Sequence, residues 1–122
     1  MAGLTQALQQ STLDTLFPTS GATDHIAYSS NGSSEGAFLA RTPIGATNWA
    51  AATAATPSVK ANTAALTSAA ASAGATVTHF AIYSALTAGT QRTDWQALTA
   101  SKTLTTGDQL TWAAGACAIS LD

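Results

Sequence analysis

The sequence predicts an all-β protein, an antiparallel β-sandwich or barrel of short strands with a short N-terminal helix. Three observations lead there. Apolar and polar residues alternate over short runs, most clearly in TVTHFAIY at 76–83. Turn signals separate those runs at regular spacing. The connections are short enough to demand antiparallel pairing.

The elements follow in order. Residues 3–17 read as a helix of good or neutral helix formers, stopped by Pro18. Its apolar pattern is two-sided: Leu4 and Leu8 share one face, while Leu13, Leu16 and Phe17 point elsewhere. Such a helix docks on something, either a partner or the β-core of its own chain. Residues 24–29 form a strand with Ile26 and Tyr28 on one face. Asn31-Gly32 reads as a hairpin turn, and 36–44 as the returning strand, with Pro43 marking an edge or an end. A short strand is expected at 48–51 and a loop through Pro57. A strand follows at 61–68 with Leu66 in the core, then a turn at 69–75. The strand at 76–84 carries bulk on both faces and is expected to be central. Strands at 95–98 and 99–104, a turn at 105–108, strands at 109–113 and 116–121, and a tight turn at 114–115 complete the chain. The expected organisation is a helical arm at 1–18 and a β-domain at 19–122, one domain overall.

Composition shapes the functional reading. Of 122 residues, 29 are alanine and 21 threonine, and only 8% are charged against 46% hydrophobic. That hydrophobic share excludes a disordered chain. Alanine buries little area per residue, so the core rests on Phe17, Phe38, Trp49, Phe80, Ile82, Tyr83, Trp95, Leu98, Leu110, Trp112, Ile119 and Leu121. A weakly charged Thr/Ser/Ala surface desolvates easily and suits burial in an assembly. The net charge is −2, and Arg41, Lys60, Arg92 and Lys102 form no cluster, so no nucleic-acid partner is expected. No apolar run reaches the roughly 20 residues that span a bilayer, so no membrane partner is expected either. No secretory signal is read at the N-terminus, and synthesis and assembly in a cytoplasm are expected.

Chemistry-bearing patterns are scarce. Cys117 has no partner cysteine and reads as a small buried apolar residue. His79 lies mid-strand and reads as a packing residue with one hydrogen bond. Asp24 and His25 point to opposite faces of a strand, and no serine is read as a nucleophile elbow. The two histidines and one cysteine are too far apart for metal-ligand spacing. Asp94 and Asp108 read as turn residues bonding their own backbone. The expectation is therefore no enzyme, no metal and no cofactor. Trp112 is assigned to the core. Trp49 and Trp95, next to polar residues, are either surface anchors or packed under loops.

The order of these pieces resembles a family of small tailed-phage virion proteins, common in phages of actinobacteria and in related prophages. The resemblance runs over nearly the whole chain. Its matching features are the N-terminal helix, ART at 40–42, NWAAA at 48–52 with 58–62, TVTHFAIY at 76–83, WQAL at 95–98, SKT at 101–103, and GD at 107–108 before an aromatic strand. The chain departs from the pattern at Ala81, where glycine is expected, and in a shorter serine-rich loop at 29–34. The resemblance implies an all-β virion component, labelled in such phages as a tail fibre or minor structural protein. Two roles follow as expectations. The first is a capsid decoration (cement) protein on the outside of the head, bridging copies of the major capsid protein, as a homo-oligomer with a trimer favoured. The second is a tail fibre or minor tail protein contacting the host surface, with Tyr28, Trp49 or Trp95 on glycan. The residues expected at an interface are Leu4, Leu8, Leu13, Leu16, Trp49 and Trp95.

Overall fold

The computed structural model describes residues 4–45, 47–55 and 57–121. Among the described residues one helix, α1 (Gln6–Leu16), precedes eight strands. These are β1 (His25–Ser29), β2 (Thr42–Pro43), β3 (Ser58–Ala61), β4 (Leu66–Thr67), β5 (Ala75–Tyr83), β6 (Gln96–Leu104), β7 (Thr111–Trp112) and β8 (Ala118–Leu121). They form a four-stranded sheet in the order β2-β1-β5-β6 and two-stranded sheets β3-β8 and β4-β7. Among the described residues no sheet closes on itself. The all-β class and the N-terminal helix stand, and the barrel alternative falls away.

The chain divides into two compact units. The first takes Met1–Ala22, Ile44–Ala65 and Trp112–Asp122; the second takes Thr23–Pro43 and Leu66–Thr111.

In the first unit, Thr5 caps α1 by accepting from Leu8 N–H at 3.3 Å, which satisfies one of the helix's orphan donors. The buried face of α1 is Gln9 and Leu13, and Phe17 just beyond it is buried as well. These residues are four apart, one stripe of a helix. Of the two apolar sides, the one holding Leu13 and Phe17 is turned inward, with polar groups anchoring the helix. Gln9 Oε1 accepts from Ser58 N–H at 3.1 Å, and Gln10 Nε2 donates to the Ala52 carbonyl at 3.2 Å. β3 pairs antiparallel with β8, Lys60 opposite Ile119. The segment expected as a strand at 48–51 is a single bridge, Trp49 to Asn62.

In the second unit, β5 lies between β1 and β6, which bears out its central placement. β1 is paired along its whole length, from His25 opposite Tyr83 to Ser29 opposite His79. Ile26, Ala27 and Tyr28 are all fully buried, so both faces of this strand are covered. Pro43 sits on the edge strand β2, where its missing N–H costs no ladder bond. The two strands expected at 95–104 are one, β6. It bulges at 98–101, because Val77 lies opposite Lys102 while His79 lies opposite Ala97.

Two further strand expectations fail. The strand read at 61–68 is split: β3 ends at Ala61 and β4 begins at Leu66, in different sheets. The hairpin read at Asn31-Gly32 does not form. Ser29 Oγ accepts from the N–H groups of Asn31 and Gly32, and Asn31 Oδ1 accepts from those of Ser33 and Ser34. This side-chain-capped turn opens a long loop, and the returning strand shrinks to Thr42–Pro43. Gly32 has φ +75°, and a Cβ there would lie 2.9 Å from the His79 ring. Only glycine meets both demands.

Candidate functional site

The six residues expected at an interface meet different fates. Leu13 and Trp49 are buried within the first unit at 2% and 1% exposure. Trp49 packs on Phe17, ring centroids 5.4 Å apart. Leu8 and Leu16 stand out from α1 at 50% and 46% exposure, and Leu4 is half-buried. Trp95 lies in the second unit, half-buried, its ring 6.2 Å from that of Tyr83. Tyr28, the other aromatic considered for glycan contact, is buried, with its hydroxyl bonded to Thr42 Oγ1. The exposed candidates are thus Leu8 and Leu16.

Charged groups that looked scattered in the sequence are paired in the fold. Lys60, fully buried, donates to Asp14 Oδ1 at 2.6 Å. Asp14 also accepts from Ala52 N–H at 2.9 Å. The Lys60 hydrogen bond, then the Ala52 one, hold the Asp14 carboxyl below its ordinary pKa. Arg92 reaches the buried Asp24 at 2.6 Å. Arg41 grips Glu35 with both ends of its fork, Nε at 2.8 Å and Nη2 at 2.7 Å. Those bonds raise the guanidinium pKa above its ordinary value.

Arg41 also organises two loops of the second unit. Its Nη1 donates to the carbonyls of Ala85 and Ala88 at 2.8 and 2.7 Å. Its guanidinium lies 3.9 Å from the Tyr83 ring centroid, a cation–π contact. Loops 35–41 and 84–90 thereby frame a cleft of about 510 Å³, lined by Glu35, Arg41, Leu39, Ala40, Leu86 and Thr87 among others. Leu86 projects at its edge, 53% exposed. Nothing in the sequence order announced this pairing. The signal available was an isolated Glu–Arg pair six residues apart and a leucine inside a turn-rich segment.

Other chemistry is built into structure. Burial pushes the Cys117 thiol up to about 12, so its nucleophilic thiolate is suppressed. His79 shares a 2.8 Å hydrogen bond with Thr78 Oγ1 through Nδ1. Asp108 Oδ2 accepts from Thr105 N–H at 2.8 Å and closes its own turn. One pattern passed over in the sequence, GSSEG at 32–36, spells the spacing of a nucleophile elbow. That motif needs a strand-to-helix turn, whereas here it lies in the Asn31-capped loop, with Ser34 Oγ accepting from Asn31 Nδ2 at 3.3 Å. Among the described residues no group of three metal-ligating side chains gathers. No described helix is long and apolar enough to cross a membrane.

No curated protein matches the chain. Residues 5–120 match the family described as podophage GP4 fiber I protein gp80. The match begins at the residue that caps α1, ends within β8 and takes in segments of both units. The resemblance to phage structural proteins read from the sequence therefore stands, and the chain belongs to the podophage GP4 fiber I protein gp80 family, a family of phage structural proteins.

Proposed function

We propose that this protein is a structural component of the phage virion, a subunit of a fibre that contacts the host surface. The observation that carries the reading is the family match over residues 5–120, whose description is that of a fibre protein. The chemistry agrees with a building role. Three of the four basic residues are spent inside their own units, on Glu35, Asp14 and Asp24. What remains outside is largely Thr, Ser and Ala, a surface cheap to desolvate against neighbours. In this reading the chain works as a homo-oligomer, uses no cofactor, catalyses no reaction, and takes neither nucleic acid nor membrane as a partner.

The second reading is a decoration protein on the head, held by the major capsid protein. It is favoured by the absence, among the described residues, of any helix beyond the eleven of α1 and of a repeated shaft.

Purified virions separate the two. Antibody against this chain, visualised by gold labelling, is expected on the tail fibres, with few copies relative to the major capsid protein by quantitative mass spectrometry. Label over the whole head at near-stoichiometric copy number would establish the decoration reading in its place. Absence from the particle would overturn both.

A further inference from the structure

The cleft in the second unit opens to solvent at Ala40, Leu86 and Thr87. We infer that it is a binding site for a neutral saccharide, an inference that takes its biological setting from the fibre reading above.

The charge balance selects the ligand class. Arg41 commits four of its five N–H groups, two to Glu35 and two to the carbonyls of Ala85 and Ala88. A bound anion would have to displace Glu35, and a bound cation would have to displace Arg41. Each exchange breaks a bidentate pair whose guanidinium is 8% exposed, an expensive loss. A neutral ligand disturbs neither. The Glu35 oxygens each keep acceptor capacity for a hydroxyl, since each accepts only one bond.

The cleft also offers donors. Among the described residues, no intramolecular acceptor takes the backbone N–H of Ala40, Leu86 or Thr87, all lining residues. Free amide donors beside a carboxylate acceptor match the mixed donor and acceptor character of vicinal hydroxyls. Leu86 and Ala40 supply apolar surface for the C–H face of a sugar ring. The volume, about 510 Å³, falls within the range of small-ligand sites.

Backbone strain is a separate observation. Ala88 adopts φ 53°, a conformation most side chains avoid. Arg41 holds its carbonyl, and reciprocal bonds between Ser84 and Thr90 close the loop that carries it. Strain of this kind persists only where the surroundings over-determine it, and it gathers at ligand clamps.

The test is an amide NMR titration of the isotope-labelled full chain with D-glucose, D-galactose, N-acetylglucosamine and L-rhamnose. At least one sugar is expected to give saturable shifts with millimolar affinity, confined to amides of 35–41 and 84–89. Ala40→Trp and, from the other loop, Thr87→Trp each fill the cleft from an exposed position. Either variant, with the rest of its spectrum unchanged, is expected to abolish the shifts. No saturable shift with any of the four sugars, or shifts that survive a folded cleft-filling variant, would overturn the site. That failure leaves gold labelling of the fibre untouched, whereas label confined to the head would sink the fibre reading and leave the titration standing.

Discussion

Asn62 does more in the first unit than a polar residue in a turn-rich segment would suggest. It is almost fully buried. Its Nδ2 donates to the carbonyls of Ala64 and Ala113 at 2.8 and 3.1 Å, and its Oδ1 accepts from Cys117 N–H at 2.9 Å. Its backbone N–H donates to the Cys117 carbonyl at 3.2 Å. One side chain thus fixes the turn after β3 and the approach to β8. Replacing it with alanine leaves the buried Cys117 N–H without its acceptor, a cost of about 1–3 kcal/mol, and takes one donor each from the carbonyls of Ala64 and Ala113, the latter still held by Ala116 N–H at 3.0 Å. Asn62→Ala is expected to lower unfolding stability by roughly 2–4 kcal/mol, read from the midpoint shift in urea at unchanged slope. A loss below about 0.5 kcal/mol would mean that water replaces the side chain. Asp14 gives a pH signature. Its folded pKa lies below its ordinary 3.8. The stability it contributes is therefore present above that value and lost as pH falls through the folded pKa. Because the carboxylate is 43% exposed, screening keeps the effect modest. Asp14→Asn should flatten the acid limb of stability against pH below about 3.8, and an unchanged acid limb would refute the assignment.

At the scale of elements, α1 shows how polar anchors can set a helix's orientation. Its buried stripe holds one leucine, Leu13, while Leu8 and Leu16 face outward. Leu13→Ala is expected to cost about 2–5 kcal/mol, the range for a buried leucine. Leu8→Ala and Leu16→Ala should each stay within about 0.5 kcal/mol in the same urea titration. Equal losses at all three positions would mean that the helix docks differently. The same element explains what the sequence could and could not reveal. Alternation and turn residues located β1, β5 and β8 and, as two strands instead of one, β6, while good helix formers ahead of Pro18 located α1. Which apolar face of α1 turns inward was not legible, because Gln9 makes its hydrogen bond at Ser58, 49 positions away, a pairing that periodicity cannot encode. Asn31-Gly32 misled because Ser29 and Asn31 side chains capture the backbone donors that a hairpin would have used. The strand read across 61–68 failed at Asn62, whose long-range bonds end β3. Candidate interface leucines were therefore legible as apolar residues, but their outward or inward direction was not. The Glu35–Arg41 cleft was invisible for the same reason, since Arg41 meets carbonyls 44 and 47 residues further along.

At the scale of the whole molecule, the sparse charge of the chain is spent before any partner arrives. Asp14, Asp24 and Glu35 take Lys60, Arg92 and Arg41. Among the described residues, that leaves Lys102 and Asp94 exposed and outside any ion pair, with Asp108 committed to its own turn. An attachment built from such a surface draws on desolvation and hydrogen bonds, with little from charge. Salt screens charge strongly: the Debye length shrinks from about 10 Å at 0.1 M to about 3 Å at 1 M. Apolar burial is not weakened by the same change. The protein should therefore stay on purified virions washed in about 1 M sodium chloride, measured by immunoblot of the pelleted particles. It should be released by urea, which weakens apolar burial by solvating apolar and peptide groups. Release by salt alone, with particles intact by electron microscopy, would mean that charged groups dominate the contact. Among the described residues, Lys102 and Asp94 are the exposed charges outside ion pairs, and charge-reversal at those two positions would be the place to look.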